Sequence, residues 1–405
     1  MGAGAEVTEQ DATGSLSGNR LRVGLASAGD PTDPAGYSGA PASLLAALRS
    51  LGVDAPALAG TPPAEVWLLR AAILARLRPA DRRDPRAALT RERAGAQLGR
   101  PVQAARERRL ARALRAAEPL DGVVQHGSEY RLPHGTRYVT IEDATSKLAR
   151  RSFDWPHHVG TRPADHRNHD ARAADVYARA LACCAMSHWA AASLVEDFGV
   201  PAEKVHVVGL GAVRRLAPPA HRDWTVPRFL FVGFAWERKN GPAVLRAFAR
   251  LREEQPGATL DVVGGHPPLD APGVTGHGTI ALDDPDGEAR LAALFDRATC
   301  FVMPSRHEPA GQVFIEAGSA GIPSVGGTHG GAATSIGPGG AVVDPEDDAA
   351  ILDAMRRLGA GDAAREAGAR ALAHSALLTW ELVAERLVRA LALPGVDPSR
   401  LAAFL

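Results

Sequence analysis

The apolar residues of this chain fall in short, nearly unbroken runs, and each run is followed by a stretch with helical spacing. Runs of this length suit strands buried on both faces of a parallel sheet, each returning through a crossover helix. The pattern occurs twice. The first series has strand runs at 21–27, 53–58, 122–125, 137–142, 182–187 and 204–208, with helices through SLLAALRSLG, at 171–181 and at 188–198. The second has strands at 228–234, 260–263, 300–303, 322–325 and 341–343, with helices at 242–252, 286–297, 312–320, 347–358, 362–373 and 379–392. Two such series in 405 residues predict an α/β protein of two doubly wound, Rossmann-like domains. We expect a disordered tail at 1–20, a first domain at 21–210 and a linker at 211–227 rich in Pro, Arg and His. A second domain is expected at 228–378 and a closing helical segment at 379–405.

Residues 64–118 interrupt the first series and read as a basic helical insertion. Between 70 and 115 there are 14 Arg against four acids. One reading is a solvated insertion; the other is a basic face for an acidic membrane surface or an anionic acceptor. Over the whole chain 46 basic residues balance 46 acidic ones, which disfavours a nucleic-acid binder. No stretch approaches 18 apolar residues, and the first 20 lack the apolar core of a signal peptide. Three cysteines, two of them adjacent, fit neither a zinc site nor a disulfide framework, and a cytoplasmic setting is expected.

The segment PSRHEPAGQVFIEAGSAGIPSV, 304–325, carries the most chemistry. A strand delivers a polar loop with Glu308, and Pro309-Ala310-Gly311 opens a helix. The unsatisfied N–H groups there, around Gly311, Gln312 and Val313, suit a diphosphate. Glu316, farther along, can accept two ribose hydroxyls, and Glu308 lies where a sugar on the distal phosphate would sit. Arg238 and Lys239 follow the strand that opens the second series, placed to neutralise a diphosphate leaving group. Lys239 is one of only three lysines.

Glu308 and Glu316 match the E-x7-E motif, and here the chain resembles the retaining GT-B glycosyltransferases of family 4, the glycosyl transferases group 1. MSHWAAASLVEDFGVPAEKVHVVGLG, FVGFAWERKNGPAVLRAFARL, LDVVGG and LTWELVAERL extend the resemblance over most of the chain. It implies two domains facing a cleft, with the last helix crossing back to the first domain. Ser38-Gly39 resembles the family's N-terminal glycine loop, where Gly39 would let backbone approach the phosphates. Many members place a His after the fourth strand; this chain has Glu142 and Asp143 there. Asp143, Glu142 or His126 is therefore the candidate for the cleft role.

The resemblance implies transfer of a hexosyl group from a nucleotide-diphosphate sugar, UDP favoured and GDP the alternative, to a small-molecule or glycan hydroxyl with retention. No metal and no resident cofactor is expected. The rival readings are a non-catalytic sugar-nucleotide-binding protein and a GT-B phosphorylase. Asp284-Pro285-Asp286 matches a D-x-D metal motif but suits a helix cap better. Gly209-Leu-Gly211 lacks the third glycine of a dinucleotide fingerprint. Cys183-Cys184 and Trp380 read as packing residues.

Overall fold

The computed structural model describes residues 21–60, 71, 73–76, 96–152, 161–281 and 285–393. The expected tail at 1–20, Asp284 and much of the basic segment lie outside them. The first domain holds six parallel strands: β1 (Val23–Ser27), β2 (Ala57–Ala59), β3 (Gly122–His126), β4 (Tyr138–Glu142), β5 (Cys183–Ala185) and β6 (Val205–Val207). Their order is β2-β1-β3-β4-β5-β6. The second domain repeats the plan with β7 (Arg228–Val232), β8 (Thr259–Val263), β9 (Val274–Gly278), β10 (Cys300–Met303), β11 (Ser324–Gly327) and β12 (Gly340–Val343). Its order is β12-β11-β10-β7-β8-β9. The chain reverses direction across each sheet, between β1 and β3 and between β7 and β10. Adjacent crossovers there leave on opposite faces and open a crevice at the strands' carboxyl ends.

The central strands are buried along their whole length, as the unbroken apolar runs require. Helix Gly241–Glu254 shows the matching helical logic: Val244, Ala247, Phe248 and Leu251 lie on one buried stripe against the second sheet.

Several expectations need correction. The described end of the basic segment is no insertion. Helix Arg100–Ala117 is the crossover from β2 to β3, and it buries Val102, Leu110, Leu114 and Ala117. Arg106 is 8% exposed, and Arg109 Nε donates to Ala59 O at 3.2 Å, so these two face inward and not toward a membrane. A count of arginines is blind to which face of a helix they occupy. β2 is shorter and later than 53–58, because Asp54 makes only an isolated bridge with Arg22. Helix Ser146–Ser152 and strand β9 were not expected. β9 is an edge strand with exposed Thr275 and Gly276, so it carries no apolar run. The helix expected at 171–181 starts earlier and spans Pro163–Arg179, entered through a proline.

The segment between domains has no helix or strand, yet it is packed. Arg222 donates to Ala320 O at 2.7 Å, and Leu216 and Trp224 rest on the second core. Helix Trp380–Ala390 returns to the first domain, where Val383, Ala384 and Leu387 join the core built around helix Ala40–Ser50. Trp380 is 5% exposed and packs as expected. Leu387→Ala should cost about 2–5 kcal/mol, the usual range for a buried leucine. Urea unfolding should show the loss in the transition that reports the first domain.

Candidate functional site

The second domain's crevice is built by the two segments that leave β7 and β10. After β7 the chain makes a tight turn through Ala235–Asn240, with Lys239 N bonded to Ala235 O at 2.8 Å and Gly241 N to Trp236 O at 3.1 Å. Asn240, fully buried at φ 63°, caps the next helix and ties its Nδ2 to Pro345 O at 2.6 Å. This turn presents Arg238 and Lys239 to the loop after β10. Glu308 is fixed there by its backbone: its N–H donates to His329 O at 3.1 Å, and its C=O accepts from Gly331 N at 2.8 Å.

Lys239 and Glu308 form a buried ion pair. Arg238 donates to His307 O at 2.6 Å, with Nη1 3.9 Å from Glu308 Oε2. Burial pushes the Lys239 ammonium below its usual range, Glu308 opposes that shift, and Arg238 adds to it. An ammonium has three donors, so the pair leaves Lys239 able to bond an incoming anion.

Three residues beyond Glu308, Gly311 adopts φ 77°, ψ 57° and caps helix Gln312–Ser319. The left-handed turn suits glycine, and a Cβ there would stand 2.6 Å from the Phe314 ring. No acidic side chain sits in the helix's first turn. Gln312 and Val313 are half-buried, so the amide end of this helix opens beside Lys239 and Glu308. The same helix serves both domains: Phe314 and Ala317 belong to the second core, Ile315 to the first. Glu316 is 3% exposed and salt-bridged to Arg214 of the linker at 2.8 Å. Burial raises its carboxyl above the usual range, and Arg214 works against that rise.

The opposite wall lies at the first domain's reversal point. Tyr37, Ser38 and Gly39 are all left-handed, at φ 50°, 55° and 79°, directly before helix Ala40–Ser50. Two non-glycine residues in that region are a local strain of the sort found at ligand sites. A Cβ on Gly39 would meet Pro34 O at 3.2 Å and Val213 Cγ2 at 3.3 Å. His126 ends β3 and is 8% exposed; its ring lies 4.9 Å from that of Tyr37. Burial lowers it to about 4, so it is neutral at physiological pH.

The backbone at the end of β4 separates Glu142, its last residue, from Asp143 just beyond it. Glu142 is 4% exposed and turned inward toward Ser128 and Tyr177, whose hydroxyls are 2.9 Å apart. Asp143 faces the cleft. The protein crowded around its carboxyl raises it to about 6, with the Glu129 and Glu308 charges adding to the rise. Glu308 thus acts on Asp143 from the other domain, and the two predicted acids share one cleft.

The structure therefore gathers Arg238, Lys239, Glu308, Gly311, Gln312 and Val313 at one reversal point, and Gly39 and His126 at the other. Glu142 belongs to the interior. Sequence reasoning missed Tyr37, Glu129, Arg106 and Arg214. The charge of Arg106, on helix Arg100–Ala117, opposes the rise that burial gives the Glu129 carboxyl on this wall. Asp286 lies in the first turn of helix Pro285–Arg297, and Asp284, the residue before that helix, lies outside the described residues. Among the described residues no group of three His, Cys, Asp or Glu is arranged to hold a metal ion, and no helix is long and apolar enough to cross a membrane.

Residues 226–360 match the family model described as glycosyl transferases group 1. The chain is 31% identical over 210 residues to a glycogen synthase of Mycobacterium tuberculosis, covering 47% of this chain and 49% of that protein. It is 27% identical over 220 residues to the D-inositol 3-phosphate glycosyltransferase of Corynebacterium diphtheriae, covering 48% and 52%. The chain thus spans about half the length of the curated relatives it matches. The fold is that of a solved sucrose-phosphate synthase from Thermosynechococcus elongatus, with TM-score 0.60, 19% identity and coverage of 91% of this chain and 98% of that one. Most of the second domain thus matches the glycosyl transferases group 1, and the chain as a whole has the GT-B architecture of two Rossmann-like domains facing a cleft.

Proposed function

We propose that this protein is a retaining glycosyltransferase that moves a hexosyl group from a UDP- or GDP-linked sugar to the hydroxyl of a small molecule or glycan. The observation that carries the reading is the meeting of Lys239, Glu308 and the amide end of helix Gln312–Ser319 at the reversal point of the second sheet. Cations and helix amides bind the diphosphate there, Glu316 takes the ribose and Glu308 the sugar. The anomeric C–O bond to the diphosphate breaks as the acceptor oxygen bonds to the same face, and the departing phosphate oxygen takes the acceptor proton. This route needs no protein base. It needs the leaving diphosphate neutralised, which Lys239, Arg238 and the helix dipole can supply without a metal. Asp143 and the Tyr37 loop bound the acceptor side.

A thermal-shift screen of UDP, GDP and their glucose and mannose conjugates tests donor binding first, since a bound ligand raises stability by mass action. Lys239→Ala should weaken binding of the stabilising nucleotide by about 1–3 kcal/mol. The free protein should also lose stability, because Glu308 is left buried without its partner. Adding Glu308→Gln should restore the stability and not the affinity. Unaltered affinity in Lys239→Ala would remove it from the phosphate site.

Transfer should survive EDTA. Loss on chelation, reversed by Mg²⁺ or Mn²⁺, would show that the cations of the cleft are not sufficient. Product made from an α-linked donor should carry an α linkage in the anomeric NMR signal, in wild type and in Asp143→Asn alike. A β product would make Asp143 an inverting base.

A further inference from the structure

Arg214 stands in the segment between the domains, two residues before the backbone of Leu216 is fixed to helix Gln312–Ser319 by a bond from its N–H to Ser319 Oγ, 3.0 Å. Ser319 Oγ in turn donates to Glu316 O at 2.8 Å. The segment is thereby held along the helix, and Arg214 Nη2 reaches Glu316 Oε2 at 2.8 Å. The guanidinium is not used up by this contact. Its Nε is buried and has no hydrogen-bond partner among the described residues. The preceding residue, Val213, is 53% exposed and lies against Gly39 of the first domain. One dipeptide therefore touches both the glycine loop of one domain and the buried carboxylate of the other.

We propose that Arg214 is a donor-binding residue that holds Glu316 through its guanidinium and its backbone N–H, aims that carboxylate at the ribose, and offers its Nε to an oxygen of the bound nucleotide. The proposal rests on Glu316 being the ribose carboxylate. A guanidinium suits the task because its donors are fixed in a planar fork, so one edge can grip Glu316 while Nε points elsewhere. A buried donor without a partner is costly, and a ligand oxygen would relieve it.

The pair also sets the charge of Glu316. Among the described residues, Arg214 is the charged group that acts on that carboxyl. From helix Gly361–Ser375, Ala371 and Ser375 pack beside the neighbouring Gly318, and neither titrates. His374 of that helix is bonded to Thr334 O at 2.9 Å. Removing the Arg214 guanidinium takes away the charge that opposes burial, so the Glu316 carboxyl would rise further. A protonated carboxyl is the poorer acceptor for ribose hydroxyls. The sign follows: without Arg214, nucleotide binding should be weaker at low pH and recover as the pH rises.

The test is calorimetric binding of UDP and GDP to the full chain at pH 7 and pH 8, both above the range near pH 6 in which a terminal phosphate titrates and below the range in which the bases ionise. Wild type should bind the preferred nucleotide alike at the two pH values. Arg214→Ala should weaken it about tenfold at pH 7, the scale of a charge-assisted hydrogen bond, and part of the loss should return at pH 8. Arg214→Lys keeps the charge without the fork, so its smaller loss should not depend on pH. Arg214→Ala in a Glu316→Gln background should show no pH dependence. Wild-type affinity in Arg214→Ala, or a loss equal at both pH values, would overturn the proposal and leave Arg214 a linker anchor. If Arg214→Ala fails to fold, the Arg214→Lys measurement decides alone, and wild-type affinity there overturns it. Glu316→Gln binding as wild type would instead sink the ribose assignment on which the proposal rests.

Discussion

Helix Gln312–Ser319 is the constraint on which the rest of the structure depends. It is a short helix with two cores to satisfy: Phe314 and Ala317 enter one, and Ile315 enters the other. A helix buried on two sides has little freedom to tilt or slide. Its amide end, Glu308 just before it and Glu316 along it are therefore held against both domains at once. Around it, His188 N bonds Thr334 Oγ1 across the domain boundary at 3.1 Å. The site is preorganised because the packing that joins the domains is the same packing that aims the polar groups.

The polar groups are held by pairing. Lys239 is buried with Glu308, and Glu316 with Arg214. A buried charge is tolerated only with a partner, and breaking such a pair costs more than the pair contributes. Each carboxylate expected to meet the donor is thus already matched with a cation, and a donor enters by sharing that cation. The first-domain wall is different. Glu129, Glu142 and Asp143 lie together with Arg106 nearby: burial raises Glu129 and Glu142, and the Glu129 charge adds to the rise of both Glu142 and the more exposed Asp143. Carboxyls in that state carry protons closer to neutrality than surface acids do.

The second domain was far more legible in the sequence than the first. Its strands are plain apolar runs, and its chemistry sits within a few residues of strand ends, at 238–239 and 308–316, where local order fixes position. Glu142 and Asp143 are neighbours in sequence, and only the end of β4 between them decides that Glu142 is buried and Asp143 exposed. Arg106 read as one of many surface arginines until helix Arg100–Ala117 was seen packed inward. Arg214 lies in a stretch with no period, so nothing local marks it; a salt bridge spanning 102 residues is a property of the fold. β9 was missed because an exposed edge strand has no need of apolar side chains.

The chain crosses between the domains twice, once through the segment that begins near Gly211 and once on its return into helix Trp380–Ala390. These crossings touch: a Cβ on Gly211 would fall 2.5 Å from the Trp380 indole and backbone. Two covalent tethers running side by side act as the pin of a door. Sliding of one domain along the other would stretch one tether against its neighbour, whereas rotation about the shared point strains neither. The covalent joints between the domains therefore lie together at one place, the Gly211–Trp380 contact.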